Sequence, residues 1–235
     1  MAKIFVFSIM HNEEVLLPYF LKHYETFAAK IFIVDAHSTD RTIEITKQHP
    51  KVEILTCPYG ETFTEEDVSF CYQNYYKAWA RHKADWAMCV DGDEFVYHPD
   101  IQLALSHARD KSADVIRTTC YTMVADHLPT TKGQIYEELN EGIRSDAQDK
   151  PIIFNPERDL MFTSGRHSLV NRDDLHIVKV KVRLLHYRYL TEDYAVERTQ
   201  TVLDRLNEKE RIKAYRIRRN RAWYQEALKK SRVVV

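Results

Sequence analysis

Trp86-Ala87-Met88-Cys89-Val90-Asp91-Gly92-Asp93-Glu94-Phe95 decides how this chain is read. An apolar run delivers three carboxylates around one glycine, at the point where a buried strand should end. Like charges held that close repel one another unless a cation, a base or solvent offsets them. Oxygen ligands of this kind suit Mg²⁺ or Mn²⁺, ions that also bridge phosphates. A bare Asp-x-Asp is more often a solvated acidic turn, so the flanking sequence has to decide.

Upstream, Lys3-Ile4-Phe5-Val6-Phe7-Ser8-Ile9-Met10 predicts a fully buried strand that ends in the polar turn His11-Asn12-Glu13-Glu14. Leu16, Leu17, Phe20, Leu21, Tyr24 and Phe27 then recur at three- and four-residue spacing, the stripe of a helix laid on a sheet. A second buried strand runs from Lys30 to Asp35, with Ser38, Thr39 and Asp40 as candidate caps for the next helix. Val52-Glu53-Ile54-Leu55-Thr56 predicts a third strand, and residues 65–83 a long amphipathic helix before the Asp91 strand. Continuous apolar strands alternating with helices imply an α/β fold, with a mostly parallel central sheet covered on both faces. Ligands of such sheets sit beyond the carboxyl ends of the strands, where Asn12, Asp35 and Asp91 to Asp93 all fall.

Ile9-Met10-His11-Asn12-Glu13-Glu14, Val34-Asp35-Ala36-His37-Ser38-Thr39-Asp40 and Val90-Asp91-Gly92-Asp93-Glu94-Phe95 resemble, in order and spacing, the three N-terminal signatures of family 2-like glycosyltransferases with the GT-A fold. The resemblance is firm over roughly residues 1–100 and weaker to about residue 200. It implies a Rossmann-like GT-A sheet with a C-terminal helical extension, divided here as residues 1–190 and 191–235. It also implies that Asp35 contacts the nucleotide base and that the turn of Ile9, Asn12 and Glu13 packs around base and ribose. Asp91 and Asp93 match the Asp-x-Asp that holds Mn²⁺ or Mg²⁺ and the nucleotide sugar, Asp93 as the direct ligand and Asp91 towards the ribose or a metal-bound water. Glu94 is left to support these acids or to touch the sugar.

Val182-Arg183-Leu184-Leu185-His186-Tyr187-Arg188-Tyr189 resembles the element that closes the active site in relatives, which offers His186 to the metal and Arg188 to the diphosphate. Lys150 and His167 lie in segments that also resemble site-lining elements. The acceptor base is harder to place, because the usual Glu-Asp signature is not recognisable and residues 126–149 hold many acids. Asp126, after the strand-like Val115–Val124, is nominated. The stretch 128–149 is expected to be a loop with some helix, placed to bind acceptor or a plain insertion.

Composition bounds the rest. With 235 residues, 44% of them hydrophobic, the chain can bury one substantial core. A net charge of -1 gives no general pull towards nucleic acid or membrane. Cys57, Cys71, Cys89 and Cys120 lack metal spacing and are expected as reduced thiols of a cytoplasmic protein. No charged-then-apolar leader opens the sequence, and no apolar run approaches the ~20 residues that span a bilayer. From Thr191 onward helix is expected, with Arg211, Lys213, Arg216, Arg218, Arg219 and Arg221 interleaved with aromatic residues. That pattern fits a helix docked on the domain, or peripheral contact with the inner face of a membrane that carries a lipid-linked acceptor. No nucleic-acid-binding motif is present.

The function expected is metal-dependent transfer of a sugar from a nucleotide-sugar donor, UDP-sugar favoured, to a glycan or lipid-linked acceptor in surface polysaccharide or glycoconjugate synthesis. The alternative is a non-catalytic nucleotide- or glycan-binding protein of the same fold. A haloacid-dehalogenase-type phosphatase would carry Asp91-Gly92-Asp93 on its first strand, and a nucleotidyltransferase would carry a Gly-rich basic loop where His11-Asn12-Glu13-Glu14 stands.

Overall fold

The computed structural model describes residues 1–207 and 220–235. Strands β1 (Ile4–Met10), β2 (Lys30–Asp35), β3 (Val52–Leu55) and β4 (Trp86–Cys89) alternate with helices α1 (Leu17–Tyr24), α2 (Thr42–Lys47) and α3 (Glu65–Trp79). The strands pair in parallel in the order β3-β2-β1-β4, with Met10 beside Asp35 and Phe7 beside Cys89. Parallel pairing brings their carboxyl ends to one edge, and with them the three polar turns singled out in the sequence.

The apolar runs are continuous because both sheet faces are covered. Side chains alternate along β1, so Ile4, Val6 and Met10 pack against Leu17, Phe20, Leu21 and Tyr24 of α1. Phe5 and Phe7 point the other way, towards Tyr72 and Tyr76 of α3. Helix α3 starts at a reciprocal capping box between Thr64 and Asp67. Its Tyr72 hydroxyl donates to the Val90 carbonyl (2.8 Å) and accepts from the Ile9 amide (3.1 Å), which ties the ends of β1 and β4 together.

The C-terminal half comprises β5 (Glu94–Tyr97), α4 (Ile101–Asp110), β6 (Val115–Val124), α5 (Ile135–Glu138), β7 (Glu141–Arg144), β8 (Ile153–Phe154), β9 (Ile177–Tyr189), α6 (Glu192–Arg205), α7 (Asn220–Lys230) and β10 (Arg232–Val233). Strand β8 lies antiparallel between β4 and β6, and β7 and β10 continue the sheet antiparallel beyond β6. The long β9 runs parallel to β6 and antiparallel to β5, which sets His186 opposite Glu94. The stretch 128–149, expected as a loop with some helix, contains α5 and the sheet strand β7.

In the C-terminal segment, Trp223 packs against Tyr189 with the rings tilted by 44° and their centroids 4.5 Å apart, and the Tyr224 hydroxyl donates to the Ala125 carbonyl at 2.6 Å. Arg211, Lys213, Arg216, Arg218 and Arg219 lie outside the described residues. Among the described residues no helix is long and apolar enough to cross a membrane. All four cysteines are free thiols.

Under the site, α1 is locked to β5. The Tyr24 hydroxyl donates to the Glu94 carbonyl (2.9 Å) and accepts from the Val96 amide (3.0 Å). His23, 3% exposed, stands beside it among Phe27, Phe95 and Tyr136, with Nε2 2.9 Å from the Val96 carbonyl. Burial pushes its imidazole down to about 4. A histidine depressed in the folded state binds its proton more readily when unfolded, so its contribution is complete above about pH 6.5 and is lost as pH falls towards 4. His23→Gln keeps an N–H for Val96 and does not titrate. Urea unfolding at pH 7 and pH 4 should show the parent losing about 3 kcal/mol more than this variant.

Candidate active site

The site grows from the carboxyl ends of β1 and β4. The turn after β1 carries Glu13, whose amide donates to Thr42 Oγ1 at 2.7 Å. The turn after β4 carries Asp91, Gly92 and Asp93. A Cβ at Gly92 would stand 2.9 Å from Cγ and Cδ of Glu13, so glycine is what lets the two turns close on each other. Glu13 and Asp93 are each 5% exposed, and Glu94 is completely buried.

Buried carboxylates need partners, and the chain supplies them from distant segments. Lys150 donates to Glu94 Oε1 (2.6 Å) and to Asp91 Oδ2 (3.2 Å). Arg166 donates to Asp91 Oδ1 and lies over the Tyr72 ring, 4.4 Å from its centroid. Both Gly165 (φ 70°) and Arg166 (φ 58°) are left-handed, a conformation that costs a non-glycine residue on the order of 1–3 kcal/mol. The reversal turns the arginine inward onto Asp91. Arg198 of α6 grips Glu13 through Nη1 (2.7 Å) and Nη2, and its Nε donates to Asp93 Oδ2 at 3.2 Å. His186 Nε2 stands 3.3 Å from that same oxygen.

Charge follows these contacts. Burial works against the charged form of Asp91, but Arg166 and Lys150 override it and hold the carboxyl well below the usual range. Asp93 is likewise held low against its burial by Arg198 and His186. His186 is pushed up to about 10: burial opposes protonation, and Asp93 overrides it. Burial raises Glu13 to about 7 against the pull of Arg198, with Asp93 and Asp91 adding to the rise.

These groups line a cavity of about 730 Å³, within the usual size range of small-molecule pockets. Of the residues expected from the sequence, Ile9, Asn12, Glu13, Asp91, Asp93, Lys150, His167, His186 and Arg188 all reach its wall. Arg188 Nε is buried without a hydrogen-bond partner among the described residues, a donor left over for an incoming ligand. Asn12 (φ 53°) accepts the Thr39 amide at 2.8 Å and so fixes the β2–α2 turn against the cavity.

Two expected residues lie outside the lining, and Glu94 takes the supporting one of its two expected roles. Asp35 lies outside the lining, its carboxylate accepting the Ser38 amide at 3.2 Å, while its neighbour Ala36 and nearby Asp40 form the wall. Glu94 is spent on Lys150 and the Asp91 amide, too deep to touch a sugar. Asp126 is outside the cavity: after β6 the chain turns outward, and the exposed carboxylate pairs with His127 at 2.7 Å. Sequence reasoning missed Arg166 and Arg198. Arg166 stood beside the His167 that was chosen. Arg198 lies one turn after Tyr194 on a helix expected to dock on the domain or meet a membrane, and only the fold reveals that both arginines line the cavity.

Among the described residues no group of three or more His, Cys, Asp and Glu side chains could hold a metal ion. Asp91 is turned to Arg166 and Lys150 rather than to a shared position with Asp93. Asp93 and His186 remain as one carboxylate and one imidazole converging on the cavity. Such a pair fits an Mn²⁺- or Mg²⁺-type ion, which takes few protein ligands and completes its shell with phosphate oxygens and water. The imidazole must be neutral to ligate, so binding displaces its proton.

The model of glycosyl transferase family 2 matches residues 5–176. The chain belongs to glycosyl transferase family 2. Its GT-A-type α/β architecture, a central sheet flanked by helices, is the one expected from the sequence. No curated protein matches it. Among solved structures, S. aureus TarS is similar at 13% identity and a TM-score of 0.49, over 86% of this chain and 39% of that one. S. aureus TarS 1-349 in complex with UDP-GlcNAc is similar at 14% identity and a TM-score of 0.48, over 86% of this chain and 66% of that one. The same protein with UDP gives 14% and 0.47, over 86% and 65%. This family 2 chain therefore spans from 39% to 66% of the length of those chains.

Lys150→Met should strip the buried Glu94 of its cation and cost about 3–5 kcal/mol of stability by urea unfolding. Lys30→Met, which breaks the more exposed pair with Glu53, should cost under about 1 kcal/mol in the same experiment.

Proposed function

We propose that this family 2 glycosyltransferase moves a sugar from a nucleoside diphosphate donor, UDP favoured, to a glycan or lipid-linked acceptor, with Mn²⁺ or Mg²⁺ at Asp93 and His186. The observation that carries the reading is the convergence of Asp93 and His186 on a cavity whose wall also presents Arg188 with an unspent donor. A divalent ion bound there supplies Lewis-acid stabilisation of the charge that gathers on the departing diphosphate. The chain's own residues do the rest. Arg166 and Lys150 hold Asp91 ionised and fixed, so that it faces the ribose side as a hydrogen-bond acceptor. Ile9, Asn12 and the Ala36–Asp40 turn form the wall for base and ribose, with Asp35 anchoring that turn from behind. Arg188 offers its free N–H to a phosphate oxygen.

The same reading places the enzyme in the cytoplasm, at or near the inner face of the membrane, in surface polysaccharide or glycoconjugate synthesis. Its support is the basic, aromatic sequence between Arg205 and Arg232.

A thermal-shift screen against UDP, GDP, CDP, dTDP and ADP, each with and without Mn²⁺, tests the donor class. UDP with Mn²⁺ should raise the melting temperature more than UDP alone. Asp93→Ala should abolish the metal-dependent part of that shift. An equal shift in the variant would move the ion elsewhere, and no shift with any nucleotide would leave the donor reading without support.

A further inference from the structure

Arg198 is the feature of the site that the donor reading does not use. Helix α6 begins at the Thr191 cap and is held at its far end where the Phe63 amide donates to the Arg205 carbonyl at 3.0 Å and the Asn207 amide donates to Phe63 at 3.3 Å. The helix is thus capped at its start and tied at its far end to Phe63 of the cavity wall, and Arg198 projects from its middle. The guanidinium divides its contacts. Nη1 and Nη2 form a two-pronged grip on Glu13, an acid held by Thr42 and by close packing on Gly92. Nε and Nη2 both stand 3.2 Å from Asp93 Oδ2, longer than the Nη1 contact to Glu13.

That oxygen is the one His186 also faces. A guanidinium and a divalent ion cannot share one carboxylate oxygen without strong like-charge repulsion at short range. The shorter Nη1 contact to Glu13 can persist while the longer contacts to Asp93 are exchanged. Resting on the donor reading above, we propose that Arg198 is a resident cation of the donor site: it neutralises Asp93 in the empty enzyme, yields that oxygen to an arriving metal ion, and turns its Nε–H to the diphosphate. Glu13 is the fixed pivot of this exchange. Arg198 therefore opposes the metal in the absence of donor and supports the nucleotide once the metal is in place.

The two roles have opposite signs, which a purely structural ion pair does not reproduce. The test uses the full chain as parent, Arg198→Gln and Arg198→Lys, with free Mn²⁺ counted by electron paramagnetic resonance without nucleotide. UDP is then titrated calorimetrically at saturating Mn²⁺. Arg198→Gln should bind Mn²⁺ about tenfold more tightly and UDP about tenfold more weakly than the parent. Arg198→Lys keeps the charge and loses the grip, so Mn²⁺ affinity should stay within about threefold of the parent while UDP binding weakens about tenfold. Unchanged or weaker Mn²⁺ binding by Arg198→Gln, or unchanged UDP binding in either variant, overturns the proposal. If Arg198→Gln does not fold, Arg198→Lys decides by the same UDP criterion. A parent that binds neither Mn²⁺ nor UDP overturns the donor reading itself and this proposal with it, whereas a parent that binds both isolates the result to Arg198.

Discussion

Four acids, Glu13, Asp91, Asp93 and Glu94, crowd the carboxyl ends of two neighbouring parallel strands, and the rest of the structure depends on meeting their charge. Removed from water without partners, such carboxylates would each cost several kcal/mol. The chain answers with Lys150, Arg166, His186 and Arg198, each brought from a different segment. None of the four is near the acids in sequence. The electrostatics of the site therefore tie the C-terminal half of the chain to the N-terminal sheet, and the site forms only as that tertiary structure forms.

Backbone geometry serves the same end. Strand β9 pairs with β5 so that His186 is opposite Glu94, and the Tyr187 amide donates to the Asp93 carbonyl at 2.8 Å. Register alone thus puts the imidazole beside the carboxylate. The left-handed pair Gly165 and Arg166 turns a cation inward, and the absence of a Cβ at Gly92 lets Glu13 lie across the acidic turn. In each case backbone conformation or close approach is set by where a charge has to go.

This division explains what could be read beforehand. Strands β1, β2 and β4 declared themselves because burial on both faces leaves runs of apolar residues, and the polar turns at their ends stood out against them. Strand β6 was bounded as Val115–Val124, as found. His186 could be picked out because its own segment is apolar. Arg166 and Arg198 could not, because an arginine on a short turn or an amphipathic helix reads as solvated until the fold shows it facing a buried acid. Strand β7 was hidden for a related reason: its four residues, Glu141–Arg144, alternate too briefly to stand out from a polar loop. Asp126 lies apart from the cavity because following a strand does not fix which way the chain turns as it leaves. Here it turns away from the cavity.

The balance inside the site also bears on what it can accept. Glu13, Asp91, Asp93 and Glu94 are already paired with Lys150, Arg166, Arg198 and a His186 that Asp93 holds protonated. A nucleoside diphosphate arriving alone would place extra negative charge beside Asp93, and a divalent ion arriving alone would place extra positive charge beside Arg198. Either is opposed by the part of the wall nearest to it. Arriving together, the two would largely cancel, and under the proposed exchange Asp93 would hold the ion while the Arg198 guanidinium would be free for the phosphate. A site whose acids and bases are already paired would thus favour a ligand that is itself a paired anion and cation.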